Sequence, residues 1–436
     1  MKKIILFSVI AAAFIPAICR GAEPTVENRR TASNYYAYPY PELELPALTA
    51  APAGYEPFHI EHYGRHGSRW HIGEWVYRSP IDELRSAERN GKLTARGKEL
   101  LSQLREIEMA SRGRDGELTP LGAAQHRGIA RRMTANFPEV FAGDAYIQAR
   151  STDVVRCILS MDNEMLEFRT FNPVIDITTD ASKRDVRYLN FSDKAADSIA
   201  WARNGLLQPI EDATPIDYNA FALQLVDDPQ FVADSVNARG LFEAIFRIAA
   251  NAQSHYDQKA PYDLFTDSQL HNQWVRDNAG WFLSFGNTAH TGGAGPQRQR
   301  YLMRNWIESA DTAVMSQRHG ANMRFGHEVV VMPMAVLMQL DDYGDEINDL
   351  ATLEKRWHNY DLLPMASNIQ MIFYRPAGKG ACKPDDVLVK VLYNEKEMRL
   401  PAKPVSGPYY RWTDVRRVWL DRIGPDGGIF PDEKPY

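Results

Sequence analysis

The chain has 436 residues, with 50 Lys and Arg against 56 Asp and Glu and a formal net charge of −6. That balance excludes a general nucleic-acid or anionic-membrane binder, while leaving room for a basic pocket set locally in an acidic protein. Three cysteines exclude a disulfide scaffold, and the length predicts a large core divided between two domains.

Lys2 and Lys3 precede an apolar run from Ile4 to Ile18. The run is too short and wrongly flanked for a membrane span, and it reads as a secretory signal peptide over residues 1–21, cleaved after Gly21. A periplasmic or extracellular protein is expected. Cys19 adds the alternative of a lipoprotein anchor, although Ile18 before it is too large for that pattern. After removal of this segment only Cys157 and Cys382 remain, enough for one disulfide. No later stretch is long and apolar enough to span a bilayer, and there is no fixed-period repeat.

Residues 22–53 are polar and rich in Tyr and Pro, and are expected to wrap the surface. The stretch Pro57–Arg69, PFHIEHYGRHGSR, follows. An extended run from Phe58 to Tyr63 ends at Gly64, and Gly64 and Gly67 let the backbone turn sharply around Arg65 and His66. An imidazole is thereby set between the guanidiniums of Arg65 and Arg69, planar forks that match phosphate oxygens. An imidazole with its tautomer fixed needs no proton removed before attacking phosphorus, so His66 is a candidate covalent nucleophile for phosphoryl transfer. A zinc cluster of His59, Glu61, His62 and His66 is disfavoured, because His59 and His62 face opposite sides of a strand.

Residues 70–90 read as a loop and a short helix. Leu93-Thr94 opens a helix with Leu100, Leu101, Leu104 and Ile107 on one face. Thr119 and Pro120 suit the cap and first position of the next helix, which runs through Arg131–Met133. Phe141–Ala149 is expected to be a strand. Ser151, Thr152 or Asp153 then caps a helix reaching about Phe168, which puts Arg156 in its first turn, a place suited to an anion.

From about residue 171 to 310 strand signals vanish and helical periodicity dominates, as in Leu241, Phe242, Ile245, Phe246 and Ile248. This predicts an inserted, mostly helical cap that ends in the Gly-rich connector Gly286–Pro296. Lys183 and Arg184, where the insertion begins, are candidate contacts for distal phosphates of a polyanionic substrate; the alternative is a solvated basic turn. Trp306–Met315 returns as a helix. Arg318-His319-Gly320 repeats the Arg-His-Gly tripeptide but reads as a helix exit with Gly320 as its cap. Ala321–Phe325 is a strand leading into Gly326-His327-Glu328, followed by a helix over Val331–Leu340 with Pro333 in its first turn. Ile369–Tyr374 and Val387–Tyr393 are strands that suit a hairpin, and the tail from Arg399 is expected to be irregular.

The order strand–RHGSR, GELTPLG, RSTDVVR, strand–GHE resembles the histidine acid phosphatase superfamily, in the branch with a large helical insertion. Within it the chain is most similar to multiple inositol-polyphosphate phosphatases and bacterial phytase-like enzymes. The resemblance covers most of the chain, including ASNIQMIFYR and VLVKVLYNEKEMRLP. It implies an α/β fold with a mainly parallel sheet core flanked by helices, formed by residues 22–170 and 311–436, and a helical cap over 171–310. It implies that His66 forms a phosphohistidine, that Arg65, Arg69, Arg156 and His327 hold the phosphoryl oxygens, and that Glu328 protonates the leaving alcohol. In the acid phosphatases the donor after the histidine is Asp; in the inositol-polyphosphate enzymes a Glu follows one residue further, after Ala. Here Glu328 follows His327 directly, keeping the Asp position with a longer arm. No metal or other cofactor is expected, and the implied partner is a small, polyanionic phosphate ester such as phytate. The alternatives are a broad-specificity acid phosphatase with the same mechanism, a phosphoglycerate-mutase-like activity, which the signal peptide argues against, and a non-catalytic phosphate-ester-binding protein.

Overall fold

The computed structural model describes residues 25–38, 45–194, 204–378, 382–424 and 426–430. The expectations for the signal peptide and Cys19 lie outside the described residues. Among the described residues no helix is long and apolar enough to cross a membrane.

One nine-stranded sheet organises the fold. Its strands are β1 (Tyr55–Arg65), β2 (Tyr146–Ser151), β3 (Asp176–Asp180), β4 (Gly320–Gly326), β5 (Asn368–Pro376), β6 (Leu388–Tyr393), β7 (Lys396–Met398), β8 (Pro404–Ser406) and β9 (Tyr409–Arg411), in the spatial order β3-β2-β4-β1-β5-β6-β9-β8 with β7 also on β6. Strands β3, β2, β4 and β1 run parallel, and from β5 onward every pairing is antiparallel. The sheet is therefore mixed rather than mainly parallel. Short links explain the antiparallel half: β6 turns into β7 through Asn394 and Glu395 at φ 47° and 61°, the left-handed pair of a tight hairpin.

The sheet is buried on both faces. On β5, Ile369, Met371 and Phe373 join one apolar cluster and Ile372 and Tyr374 join another. The first cluster takes Trp306 from the helix Arg300–Ser316, Val330 and Met334 from the helix Glu328–Met338, and Trp412 and Trp419 from the helix Trp412–Arg422. The second takes Ile129 and Met133 from the helix Pro120–Asn136 and Met161, Met165 and Phe168 from the helix Val155–Phe171. Alternation by two residues sends neighbouring side chains to opposite layers. A third core lies off the sheet. Leu84, Leu100 and Leu104, from the helices Trp75–Arg89 and Ala95–Ser111, pack there with Phe221, Leu241, Phe242 and Ile245. The helical unit thus draws on residues before β2 as well as on the insertion.

Several elements differ from the sequence expectations. Strand β3 lies within the stretch that showed no strand signal; it is a largely exposed edge strand, DITTD, with little apolar alternation to read. Residues Pro138–Phe141 form a short helix, and β2 starts only at Tyr146. The helix after β4 begins at Glu328, so Pro333 lies in its interior. The helix Arg300–Ser316 ends at Gln317, with φ 56°, and Gly320 opens β4 instead of capping it. The tail is ordered into β8, β9 and the helix Trp412–Arg422. Cys157 and Cys382 are both free thiols.

Candidate active site

The site gathers at the C-terminal ends of the parallel strands, where open α/β sheets form their crevices. Arg65 closes β1 opposite Gly326 at the end of β4, and His66 N–H donates to Gly326 O at 2.9 Å. Arg65 N–H donates to Ser367 O at 2.8 Å, and His66 O accepts from Ala366 N–H at 3.0 Å. The end of β4 and the residues just before β5 therefore fix the backbone of the nucleophile candidate.

Glycine shapes the loop from the other side. A Cβ on Gly67 would lie 2.5 Å from Gly122 O, and one on Gly122 would collide with Ser68 O. The two backbones touch with no room for a side chain. Thr119 caps its helix by accepting from Gly122 N–H at 3.1 Å, and its hydroxyl also donates to Ser68 O at 3.1 Å. Ser68 N–H donates to Gln125 Oε1 at 2.8 Å, and Gly67 N–H donates to Ser160 Oγ at 3.1 Å. This is the structural use of the GELTPLG segment: it seats the RHGSR loop.

His66 is buried, its Nδ1–H donates to Gly67 O at 2.9 Å, and its Nε2 makes no hydrogen bond. Burial, followed by the charges of Arg65, Arg156, Arg69 and His327, holds its pKa well below the ordinary histidine value, so the ring is neutral. Arg65 Nη1 donates to Asn34 O at 2.8 Å and to Leu363 O, while its buried Nε and Nη2 make no hydrogen bond. Arg69 Nη1 donates to Trp70 O at 3.0 Å and its Nε is unpartnered. Arg156 lies in the first turn of the helix Val155–Phe171, with a buried, unpartnered Nε; no side chain of Ser151, Thr152 or Asp153 caps that helix. Burial lowers the pKa of Arg65 to about 10 and lowers that of Arg156 as well, yet both stay charged.

His327 follows β4. Its N–H donates to Tyr63 Oη at 3.2 Å, and its Nε2 lies 3.3 Å from Thr152 Oγ1 and 3.8 Å from Cys157 Sγ. Burial pushes its pKa down to about 4. The rings of His66 and His327 meet edge-on at 5.7 Å between centroids. Glu328 Oε2 lies 3.1 Å from Arg65 Nε and 3.7 Å from His66 Nε2. Burial alone would raise its carboxyl, but Arg65, Arg69 and His327 hold it at about 2.

His66, Arg65, Arg69, Arg156, His327 and Glu328 thus converge from three separate segments. Nitrogen and oxygen atoms of His66, His327 and Glu328 lie within 4.8 Å of one another, a spacing that could also hold a metal ion. Three guanidiniums around them make the site an anion cage and oppose a divalent cation. The zinc set read from β1 is not assembled: His59 Nε2 pairs with Glu61 Oε1 at 2.9 Å, and Glu61 pairs with Arg324 at 2.6 Å inside the core. Lys183 and Arg184 open a short helix after β3, are exposed, and make no hydrogen bond or ion pair among the described residues. His319 lies before β4, at the opposite end of that strand from His327, with Nε2 2.9 Å from Ala142 O. The sequence reading missed Asn34, Tyr35, Gln125, Thr152 and Ser160. Only Thr152 carried a signal, as a candidate cap beside Arg156.

No protein-family model and no curated protein sequence matches the chain. Solved structures do. The multiple inositol polyphosphate phosphatase of Bifidobacterium longum in complex with inositol hexasulfate is 18% identical, covers 92% of this chain and 100% of its own, and superposes with a TM-score of 0.69. Its complex with phosphate is 19% identical over 90% of this chain and 98% of its own, also at 0.69. The phytase of D. castellii is 13% identical over 92% of this chain and 86% of its own, at 0.65. The chain shares the fold of these proteins.

Proposed function

We propose that the protein is a phosphomonoesterase that works through a phosphohistidine on His66 and acts on inositol polyphosphates such as phytate. The observation that carries this reading is the state of His66: a neutral, buried imidazole with Nδ1 engaged by Gly67 O and Nε2 free of hydrogen bonds beside three arginines. Solved structures of the same fold that hold inositol hexasulfate or phosphate support the polyanionic substrate.

The proposed steps are these. Nε2 attacks phosphorus, and the P–O bond to the alcohol breaks. Arg65, Arg69, Arg156 and His327 hold the equatorial oxygens, because phosphoryl transfer needs positioning and charge compensation above all. An alkoxide leaves only with a proton, which Glu328 supplies. Held at about 2, the Glu328 carboxyl is ionised without ligand. An anion bound to the same guanidiniums cancels the charge that keeps it acidic, so substrate binding itself loads the proton. Water then attacks the phosphohistidine, with Glu328 as base, and inorganic phosphate departs.

The test is phosphate release across phytate, lower inositol phosphates, sugar phosphates, nucleotides and p-nitrophenyl phosphate, with acid-quench trapping of phosphohistidine. Preferred release from phytate with His66-dependent labelling supports the reading. Equal rates across the panel select the broad-specificity alternative, and binding without turnover or label selects the non-catalytic binder. Replacing Lys183 and Arg184 with Ala tests their contribution: unchanged activity on phytate relative to p-nitrophenyl phosphate removes them from the substrate contacts.

A further inference from the structure

The segment ahead of β1 enters the site. Ser33–Tyr35 form a turn of 3-10 helix, with Ser33 buried at φ 57°. Asn34 O accepts from Arg65 Nη1 at 2.8 Å. The Tyr35 ring faces the Arg69 guanidinium, with Cζ 5.6 Å from the ring centroid, and meets His71 edge-on at 5.0 Å. Five anchors hold this strap, one of them Tyr38 Oη, which donates to Glu395 Oε2 at 2.7 Å. Asn359 Nδ2 donates to Ser33 Oγ at 2.6 Å, and Met365 N–H donates to Tyr36 O at 2.7 Å. Ala37 N–H donates to Gln253 Oε1 at 3.0 Å, and Gln125 Nε2 donates to Tyr38 O at 3.4 Å. Gln253 sits at the end of the helix Ala238–Ala252 in the helical unit, whereas the other anchors belong to the sheet layers.

An arginine with four rotatable bonds loses much of its affinity for an oxyanion if it must be ordered at the moment of binding. The strap occupies one terminal nitrogen of Arg65 and one face of Arg69. Of the remaining buried donors, Nη2 of Arg65 and Nε of Arg69 make no hydrogen bond, and Nε of Arg65 faces the Glu328 carboxylate inside the site. We propose that residues 33–38 are a positioning strap for the phosphate clamp, Asn34 acting through its carbonyl on Arg65 and Tyr35 through its ring on Arg69. This rests on the phosphatase reading above and adds to it residues that act through the arginines.

The test uses Tyr35→Leu, Tyr35→Phe, Arg69→Ala and the Tyr35→Leu/Arg69→Ala double variant. Inorganic phosphate binding is read by calorimetry, and KM and kcat are read on p-nitrophenyl phosphate. Tyr35→Leu is expected to weaken phosphate binding about tenfold and to raise KM more than it lowers kcat, while Tyr35→Phe, which keeps the ring face, stays within about twofold. In the Arg69→Ala background, Tyr35→Leu is expected to cost nothing further, because its effect passes through that guanidinium. Equal losses in the Phe and Leu variants would assign the hydroxyl to the ligand and overturn the proposal. So would full additivity with Arg69→Ala, or no loss at all. Ser33→Gly guards against a Leu variant that does not fold: glycine keeps the positive φ and deletes only the Asn359 anchor. It is expected to weaken phosphate binding about threefold, and wild-type affinity there counts against the strap. If the unmodified protein neither binds phosphate nor hydrolyses p-nitrophenyl phosphate, the phosphatase reading itself fails and takes the proposal with it.

Discussion

Arg65 Nε and Glu328 Oε2 lie 3.1 Å apart, although the two residues are separated by most of the chain. The pair brings the proposed clamp and the proposed proton donor into one electrostatic unit. Whatever neutralises the arginine releases the carboxylate to accept a proton.

Anion binding is therefore expected to take up protons. Sulfate, which does not itself titrate between pH 5 and 7, serves as the probe. Calorimetry in two buffers of different ionisation enthalpy should show uptake of roughly half to one proton, with affinity rising as pH falls. Glu328→Gln should abolish both effects. Uptake that persists in that variant assigns the proton to another group.

Glu328→Gln also separates substrates by leaving group. Hydrolysis of alkyl phosphates is expected to fall by about 100-fold or more, whereas p-nitrophenyl phosphate, whose leaving group needs no proton, should stay within about tenfold of wild type. Equal losses on both would remove Glu328 from the donor role.

Gly122→Ala tests the seat of the loop. The added methyl would meet Ser68 O and N, both backbone atoms that cannot swing aside. Overpacking of this kind costs about 1–3 kcal/mol, and displacement of His66 by about 1 Å is expected to lower kcat about 100-fold. Melting temperature and kcat measured together check it; a variant with wild-type kcat would show that the contact does not position the loop.

Acid is expected to destabilise the fold. Burial, with the charges of His126 and Arg324, lowers the pKa of His62 to about 3, and burial lowers that of His71 to about 3. Each binds a proton more readily when unfolded. Their contribution is complete above the unfolded histidine pKa of about 6.5 and is lost as pH falls toward the folded value, by about 2 kcal/mol per group at pH 5. Melting temperature should fall between pH 7 and pH 4, and His62→Gln should flatten the slope. A slope unchanged by that substitution would place the titration elsewhere.

The loop that carries His66 was legible because its signals are local. Gly64, Gly67 and the arginines around His66 sit within six residues, and Thr119-Pro120 announces its helix by cap chemistry alone. The two Arg-His-Gly copies could be told apart because an extended apolar run precedes one and a helix precedes the other. What escaped was non-local or weakly patterned. Strand β3 is an exposed edge with almost no apolar alternation. The helices Trp75–Arg89 and Ala95–Ser111 read correctly as helices, but no periodicity reveals that they pack with Leu241 and Phe242 instead of the sheet. Asn34 reaches Arg65 through a carbonyl, which every residue type carries, so no side-chain pattern could mark it.

Strand β1 lies at the heart of the sheet, yet neither of its neighbours is close in sequence. His59 pairs with Gly320 of β4, 261 residues along the chain, and Tyr55 pairs with Pro376 of β5. During synthesis one edge of β1 therefore stays open until β4 has emerged, and the other until β5 has. Pairings this distant close slowly, and an open apolar strand is a template for the wrong partner. Truncation before β5 should yield aggregates rather than a weaker enzyme, and recovery of the protein should depend on how well its first strand is shielded while it waits for its last.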